Sequence, residues 1–525
     1  MTSKTSSKSF WFLPSIAEFI FILILVLILR GESHLLGDGD TGYHIRAGEY
    51  IIDNRTIPHH DIFSHIEPPL EWTAHEWLSE VFMALVHRAA GLTGIVVAFA
   101  TLISLAFFVL FKFLRASGTG ILVAAMVVIF AASVSTIHWL ARPHVFSLLI
   151  TLVWYMVLDT HQYREKNRLY LLPPIMLLWV NLHGGFILGL VLIGVYIAGN
   201  LFIAIWRSDA RQSARRKIKN LSLWFLVCLL ATLLNPKGYK ILLFPFGVIG
   251  NTYLMDHVNE FLSPNFHEHL IYEYMLLFMI LVFCSSIVKL NAIEILLVLL
   301  FTHMSLYSGR YIPLYAIILS PILARQIDHL LQERSARSIV KRFLRLSART
   351  AETDAAAKYL LWMIGAIVVS IVLVLTQQVS HRFDRDEAPL QALEFIMNEH
   401  IPGNMFNDDE FGDHIIYAAW PRYRVFFDGR SDMYGTERLK EYFRVIAAKP
   451  GWEEVFKKYD ITWVMYKTNS TLTSFLLERK DWHLIYSDKV ASIFVKNIPE
   501  NRYLIEKYPA VKPVIVEEED DKEKI

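Results

Sequence analysis

Apolar runs of bilayer length recur along this 525-residue chain and constrain its fold more than any other feature. A helix needs about 20 mostly apolar residues to cross the hydrocarbon core of a bilayer. Hydropathy predicts about eleven spanning segments, and they fall at residues 11–31, 93–112, 119–136, 143–159, 169–182, 184–206, 220–235, 272–288, 291–307, 311–325 and 359–378. The run at 240–250 is too short to span and is interpreted as a re-entrant or interfacial helix. We therefore predict an all-α polytopic membrane domain over residues 1–379.

Basic residues concentrate in a few loops, although the net charge is only +1. The basic stretches lie at 112–115, 161–168, 207–219 and 325–349. Cytoplasmic loops carry an excess of Lys and Arg, so we predict that these loops and the N-terminus are cytoplasmic. With an odd number of spans, the loop at 32–92 and the chain after residue 380 then lie outside the cytoplasm. The small net charge gives no reason to expect a nucleic-acid partner.

The chain after the last span is predicted to form a small extracytoplasmic α/β domain over residues 380–500. Runs rich in β-branched and aromatic residues predict strands, and helical spacing of apolar residues predicts helices. Strands are predicted at 425–430, 461–466 and 491–496, and helices at 389–400, 435–448 and 451–459. Residues 501–525 contain the charge run EEEDDKEK and are predicted to form a disordered acidic tail.

The loop at 32–92 opens with the segment GDGDTGYH at residues 37–44. Acidic groups next to hydrocarbon are costly and usually functional. Asp38 or Asp40 could act as a general base that takes the proton of an acceptor hydroxyl. Asp38, Asp40 and His44 also suit a divalent cation such as Mg²⁺ or Mn²⁺. The structural alternative is a helix N-cap at Asp40 or Thr41, and it is compatible with either function.

The rest of this loop is predicted to contain two helices. Residues 40–52 have helical apolar spacing, and residues 73–90 read as an amphipathic helix that lies on the membrane surface. His75 and Glu76 are a second acid/base pair, a pair of metal ligands, or the polar start of that amphipathic helix.

Other polar residues lie at predicted outer ends of spans. Arg142 and Arg310 suit a phosphate or diphosphate, because the guanidinium fork matches phosphate oxygens, or else they snorkel toward lipid headgroups. His183, in NLHGGF, either donates to a phosphate or binds a metal, or it belongs to a plain helix-hairpin turn. Substrate binding is assigned to Arg310, Arg142, His183, His75, Glu76 and Asn235, and the remaining outer polar residues include His138, His144, Asn181 and Glu260.

Several function classes lose their usual support. The chain has two cysteines, Cys228 and Cys284, both in predicted spans, so no disulfide framework or cysteine metal cluster is expected. It has no Walker motif, no dinucleotide-binding glycine fingerprint and no H-E-x-x-H motif. The carboxylates of FNDDEFGDH (406–414) and FFDGRSDMYG (426–435) are interpreted as turn and strand-end chemistry, with a role of Asp428, Arg430 and Asp432 at the membrane site left open.

Longer motifs carry a family resemblance. The stretches GDGDTGYHIRAGEYIIDNRTIPHHDIFS, AHEWLSEVF, ARPHVFSLL, NLHGGF, LNPKGY and SGRYIPL, with VFFDGRSDMYG and DWHLIYSD near the C-terminus, resemble bacterial polytopic membrane proteins related to the GT-C superfamily of glycosyltransferases. The resemblance implies a polyprenyl-phosphate sugar donor and a catalytic Asp on the first outer loop. It also implies that the protein lies in a bacterial inner membrane and transfers the sugar on the side away from the cytoplasm. Asp38 and Asp40 match that catalytic position. The implied acceptor is a glycan, a lipid or a protein.

Two other classes of function stay open at this stage. A transporter or flippase for a lipid-linked glycan needs intramembrane charge along its path, and only Glu18 and Glu294 stand out within the predicted spans. A membrane scaffold of an envelope assembly complex would not need the outer set of His, Asp and Arg residues. The sequence therefore favours a one-sided enzyme.

Overall fold

The computed structural model describes residues 13–31, 34–164, 166–268, 270–357 and 360–514. The chain divides into two compact units. The helical unit comprises Met1–Leu35, Ala89–Ile249 and Met255–Ser380, and the mixed unit comprises Leu36–Arg88, Gly250–Leu254 and His381–Ile525. The domain boundaries drawn from the sequence, 1–379, 380–500 and 501–525, stay predictions.

The described residues form mostly helices. In chain order they are α1 (Ile16–Arg30), α2 (Asp40–Asn54), α3 (Trp77–Ala116), α4 (Ile121–Ser135), α5 (His144–Arg164), α6 (Leu172–Leu182), α7 (Ile187–Trp206), α8 (Arg211–Thr232), α9 (Lys240–Gly250), α10 (Thr252–His257), α11 (Ile271–Ser285), α12 (Ala292–Tyr307), α13 (Ile312–Glu333), α14 (Ser338–Asp354), α15 (Leu361–Leu375), α16 (Leu390–Asn398), α17 (Asp409–Ala419), α18 (Ser431–Ile446), α19 (Trp452–Lys458), α20 (Thr471–Leu477) and α21 (Arg502–Lys507).

Five helical segments of the described chain are long and apolar enough to cross a membrane: Trp77–Ala116, Ile121–His138, His144–Arg164, Gly184–Trp206 and Gly309–Glu333. Five shorter apolar helices accompany them, at Leu169–Leu182, Lys240–Gly250, Ile271–Ser285, Ala292–Tyr307 and Leu361–Leu375. The predicted number of about eleven spans stays a prediction. The amphipathic helix and the span predicted after it are one helix, α3, which is kinked at Ala90 and Gly91.

Glu18 and Glu294, the two acidic residues that stood out within the predicted spans, both cap the start of a helix. Glu18 forms a capping box with Ser15 at the start of α1, and its Oε1 also accepts from the Trp362 N–H at 3.0 Å. Glu294 forms the same kind of box with Asn291 at the start of α12 and pairs with Arg325. A capping box satisfies two backbone donors at a helix end, so the first turn accounts for both carboxylates.

The mixed unit contains a four-stranded sheet of β1 (Asn404–Asn407), β2 (Ile461–Lys467), β3 (Trp482–Ser487) and β4 (Ala491–Lys496) in the order β1-β2-β4-β3. The β1–β2 pair is parallel, and the other two pairs are antiparallel. The strands predicted at 461–466 and 491–496 are thus present, as β2 and β4. The stretch 425–430 is not a strand: Val425 makes one isolated bridge with Ser64 before α18 begins.

One hydrophobic core joins the first loop to the C-terminal region within the mixed unit. Tyr43, Ala47 and Ile51 on α2 belong to the same buried cluster as Ile415 on α17 and Trp463 on β2. Burial of these side chains removes apolar surface from water, which is the main favourable term in folding. The 36–88 segment is therefore part of this unit's core. The tail expected from residue 501 begins with the helix α21, and residues 515–525 lie outside the described residues.

Candidate functional site

Asp40 is the first residue of α2, and its environment is built by its neighbours in the loop. Its backbone N–H donates to Asp38 Oδ1 at 2.8 Å, while Gly39 at the N-cap position has no side chain to offer. The capping role expected of Asp40 or Thr41 is therefore performed by Asp38, because a carboxylate at a helix start satisfies an N–H that has no helical partner. Asp40 itself is 6% exposed.

Asp40 meets two residues from the C-terminal part of the mixed unit. Its side chain is hydrogen-bonded to Asp413 on α17, and Gly429 lies against both carboxylates. The Gly429 N–H donates to Asp413 Oδ2 at 3.1 Å. A Cβ atom on Gly429 would overlap Asp40 Oδ1, so only glycine allows this approach. We call Asp38, Asp40, Asp413 and Asp428 the carboxylate cluster.

The carboxylate cluster shifts the pKa of Asp413, which is almost fully buried. Burial raises the pKa of Asp413 well above its ordinary value, and the nearby charges of Asp40, Asp428 and Asp38 raise it further. Like charges that share a buried site cannot all ionise. The arrangement can therefore keep one carboxyl protonated while it presents another as a carboxylate, which is the chemistry a general base requires.

Arg430 forms an ion pair with Asp428, one member of the carboxylate cluster. Its Nε and Nη2 donate to the two oxygens of Asp428 at 2.8 and 2.7 Å, and Nη2 also lies 2.8 Å from Asp61 Oδ1. The guanidinium stacks over Trp72 and Phe63, with its Cζ 4.5 and 4.9 Å from the ring centroids. Burial acts to raise the pKa of Asp61, but Arg430 and hydrogen bonds outweigh it and lower that pKa. This geometry supports the structural interpretation of Asp428 and Arg430, and Asp432 is exposed on α18.

The other candidate site residues of the first loop form two histidine–glutamate contacts. His44 Nδ1 lies 3.5 Å from Glu80 Oε1, and both side chains are buried. His75 Nε2 lies 3.8 Å from Glu76 Oε1 just before α3 begins, where both are mostly buried. His44 is one turn from Asp40 on α2, which is the spacing that places two side chains on one helix face. The metal assignment of Asp38, Asp40 and His44 stays a prediction.

Arg142 and Arg310 come together in the helical unit through a shared partner. Arg142 donates to Glu260 Oε1, and Arg310 Nη2 lies 3.7 Å from Glu260 Oε2. Burial acts to raise the pKa of Glu260, but the two guanidinium groups outweigh it, and the pKa falls below its ordinary value. Two arginines and one carboxylate leave one net positive charge, which suits an anionic group. We call Arg142, Arg310 and Glu260 the arginine pair site.

His183 lies in the helical unit between α6 and α7. Its Nδ1 accepts from Ser147 Oγ at 2.7 Å and from the Gly185 N–H at 3.0 Å. The His144 ring lies beside it, with 6.4 Å between the ring centroids. Asn235 Nδ2 donates to Val180 O at 2.8 Å, so this amide holds the turn after α8 against the end of α6. The contacts of Asn235 are thus those of a structural residue, and its predicted role in substrate binding stays a prediction.

Some of these residues carried no clear signal in the sequence. Asp413 and Gly429 belong to motifs read as turn chemistry, and they approach Asp40 only because distant segments share one core. Glu260 was recognised as polar but not as the partner of both arginines. Ser147 and Trp179, which hold His183, looked like ordinary members of apolar helices.

Comparison with known proteins gives matches among solved structures. No protein-family model matches the chain, and the comparison with curated proteins finds no match either. The Archaeoglobus fulgidus oligosaccharyltransferase in its apo form superposes with a TM-score of 0.56 at 10% identity, covering 92% of this chain and 74% of that chain. AglB from the same organism, in complex with an inhibitory peptide and a dolichol-phosphate, gives 0.53 at 12% identity, covering 86% and 69%. ArnT from Cupriavidus metallidurans, bound to undecaprenyl phosphate, gives 0.50 at 12% identity, covering 92% and 98%.

The chain has the fold of these membrane transferases. The likeness extends over most of the chain and shows a shared fold. The chain is a multi-pass membrane protein. Two of the three structures contain a lipid phosphate, dolichol-phosphate in one and undecaprenyl phosphate in the other. Function does not follow from fold alone, so the activity must be argued from the residues described above.

Proposed function

We propose that this protein is a membrane glycosyltransferase that moves a sugar from a polyprenyl-phosphate-type lipid to an extracytoplasmic acceptor. The observation that carries the proposal is the buried Asp40, held at a helix start in hydrogen-bond contact with the buried carboxyl group of Asp413, whose pKa is raised. The fold shared with an oligosaccharyltransferase and with ArnT supports the same reaction class. The acceptor is a glycan, a lipid or a protein.

In the proposed reaction Asp40 acts as the general base. It takes the proton of the acceptor hydroxyl while the acceptor oxygen forms a bond to the anomeric carbon of the donor sugar. The bond between that carbon and the phosphate oxygen breaks, and the lipid phosphate leaves from the opposite face, so the configuration inverts. We assign the base to Asp40 rather than Asp38, because the Asp38 carboxylate is engaged in capping α2.

The leaving phosphate needs positive charge and hydrogen-bond donors. We propose that Arg310 and Arg142 supply the charge and that His183 supplies a donor. Glu260 holds the two guanidinium groups in place and neutralises one of their charges. His75 and Glu76 remain proposed substrate contacts.

The carboxylate cluster also fits a divalent cation. Asp38 and Asp40 are oxygen ligands of the kind that Mg²⁺ and Mn²⁺ prefer. Burial and, after it, the charges of Asp40, Asp428 and Asp38 raise the pKa of the neighbouring Asp413, and a bound cation would offset the repulsion among these carboxylates. When bound, such an ion supplies Lewis-acid stabilisation of the leaving phosphate. His44, which contacts Glu80, completes the proposed set.

The proposed location is the inner membrane of a bacterium, with the N-terminus in the cytoplasm and the C-terminal region outside it. The basic loops of the sequence support this orientation.

Substitution of the two aspartates tests the assignment of the base. Membranes that contain each variant are supplied with a panel of undecaprenyl-phosphate sugars, and release of undecaprenyl phosphate is measured. Asp40→Asn should lower turnover about 10²–10⁴-fold, as expected for loss of a general base, and Asp38→Asn should lower it less. Asp53→Asn is the matched control, because Asp53 is an exposed carboxylate on the same helix. Full activity of the Asp40→Asn, Asp38→Asn and double variants would show that the base lies elsewhere.

A further inference from the structure

Three side chains of the helical unit form a directed chain of hydrogen bonds that ends on His183. Trp179 Nε1 on α6 lies 2.6 Å from Ser147 Oγ on α5, and Ser147 Oγ lies 2.7 Å from His183 Nδ1. Trp179 and Ser147 are both buried. The proposed reaction uses His183 but gives no role to Ser147 or Trp179.

The direction of each bond follows from the donors. The indole N–H of Trp179 can only donate, so Ser147 Oγ accepts it. The backbone N–H of Gly185 donates to His183 Nδ1, and a ring nitrogen that accepts a hydrogen bond carries no proton. The hydroxyl of Ser147 is therefore the donor in its contact with Nδ1. A neutral imidazole has one N–H, and in His183 it lies on Nε2.

Close packing fixes this arrangement. A Cβ atom on Gly185 would lie 2.7 Å from His183 Nδ1 and 2.9 Å from Ser147 Oγ, which is closer than side chains approach one another. Gly185, the second glycine of NLHGGF, must therefore be glycine, because the His183 ring and the Ser147 hydroxyl leave no room for a side chain. Nearby, His144 Nε2 lies 3.0 Å from the His138 carbonyl oxygen, so a neutral His144 also donates from Nε2.

We propose that Ser147 is a positioning residue that, with Gly185, fixes His183 as a neutral imidazole donating from Nε2 to a phosphate oxygen of the lipid. The lipid part of this inference rests on the proposed function, whereas the tautomer does not. A phosphate oxygen only accepts hydrogen bonds, so a ring locked in the other tautomer would turn a lone pair toward it. A partner that fixes the second ring nitrogen is the common way to set which nitrogen of a histidine interacts with its ligand.

Nitrogen NMR tests the tautomer without any lipid. The full-length protein, labelled with ¹⁵N in its histidine rings and placed in lipid nanodiscs at pH 7, should show for His183 a protonated Nε2 and an unprotonated Nδ1. Comparison with the spectrum of His183→Gln assigns the signals. A proton on Nδ1, or on both nitrogens, would overturn the inference.

Binding of undecaprenyl phosphate tests the role of Ser147. Ser147→Ala should weaken binding about tenfold, as expected when a hydrogen bond that orients a charged contact is lost. Ser147→Thr keeps the hydroxyl and should restore most of the affinity. His183→Gln, whose amide reaches the Nε2 position, should bind better than His183→Asn, whose shorter amide reaches only the Nδ1 position.

Controls separate this role from folding and from the proposed function. Ser133→Ala is the matched control, because Ser133 Oγ donates within its own helix, to Ile129 O. Wild-type affinity in Ser147→Ala would overturn the positioning role, and so would equal loss in Ser147→Ala and Ser147→Thr. Absence of undecaprenyl phosphate binding in the wild-type protein would contradict the lipid contact and the proposed function, while the NMR result would still decide the tautomer.

Discussion

Arg430 shows how much one buried charge can determine in this protein. The side chain is 2% exposed and forms ion pairs with both Asp428 and Asp61. Burial acts to lower the pKa of Arg430, but the two carboxylates outweigh it, so the guanidinium stays charged. A buried charge is costly unless its partners are in place, and here each partner comes from a different part of the mixed unit. Arg430 therefore fastens the first loop to the C-terminal region.

Replacement of Arg430 should destabilise the protein strongly. Arg430→Met keeps the length of the side chain but leaves two buried carboxylates unpaired, which costs about 3–5 kcal/mol and should lower the midpoint of thermal unfolding by roughly 6–20 °C. Arg430→Lys should recover only part of this, because an ammonium cannot form the two-pronged contact. The measurement is intrinsic tryptophan fluorescence of the purified protein during heating.

Arg502→Met provides the comparison for that measurement, because Arg502 forms an exposed ion pair with Glu506. Exposed pairs contribute little to stability, so this midpoint should hardly move. Equal shifts in the Arg430 and Arg502 variants would contradict the structural role given to Arg430.

At the scale of single residues, the sequence analysis could identify candidate functional side chains but not the residues that contact them in the fold. Asp40 was singled out because carboxylates near hydrocarbon are rare, and this signal is local. Asp413 carried no such signal, because its contact with Asp40 spans more than three hundred positions of the chain. Ser147 was missed for a related reason, since a serine in an apolar helix usually bonds its own backbone.

At the scale of elements, α17 begins at two adjacent acidic residues, of which Asp408 is buried and Asp409 is partly exposed. Asp408 is the N-cap, and its Oδ1 accepts from the Phe411 N–H at 3.4 Å. Burial and the neighbouring Asp409 raise the pKa of Asp408 to about 7, although Lys467 acts in the opposite direction. In the unfolded chain an aspartate has a pKa near 3.9. Between these two pKa values, Asp408 is protonated in the folded protein and ionised in the unfolded chain.

The helix start at Asp408 should make stability depend on pH. A carboxyl whose pKa is raised by folding adds stability at low pH and loses it as the pH rises from about 4 to about 7. Asp408→Asn keeps a good N-cap without the titration, so its unfolding midpoint should fall less between pH 5 and pH 8. At pH 8 the variant should be more stable than the wild-type protein. Thermal unfolding at several pH values measures this, and a slope as steep in Asp408→Asn as in Asp53→Asn would contradict it.

Helices were easier to predict than strands because their signals are longer. The expected helices at 40–52, 389–400 and 451–459 correspond to α2, α16 and α19. The short strand β1 is only four residues long and offers too few positions for an alternating pattern to show. The stretch 425–430 has strand-like composition, but Gly429 and Arg430 place the backbone against the carboxylate cluster instead of against a neighbouring strand.

At the scale of the whole molecule, hydropathy was enough to predict a polytopic membrane protein, but not how its water-soluble segments combine. The mixed unit assembles residues from 36–88 with residues after 380 into one core. Contacts between such distant segments depend on the complete fold, so periodicity within a short window cannot reveal them. The same limit explains why the first loop and the C-terminal region were predicted to be separate structures.

The proposed orientation predicts which serines are reachable from outside the cell. Ser208, in the basic loop after α7, and Ser474, on α20, are both exposed. Cys284 is exposed and should first be replaced by serine, whereas Cys228 is buried. In that background, Ser474→Cys should react with a membrane-impermeant maleimide in intact spheroplasts, and Ser208→Cys should react only after permeabilisation. Positive loops are retained in the cytoplasm, so the reverse labelling pattern would place the carboxylate cluster on the cytoplasmic side and contradict transfer to an extracytoplasmic acceptor.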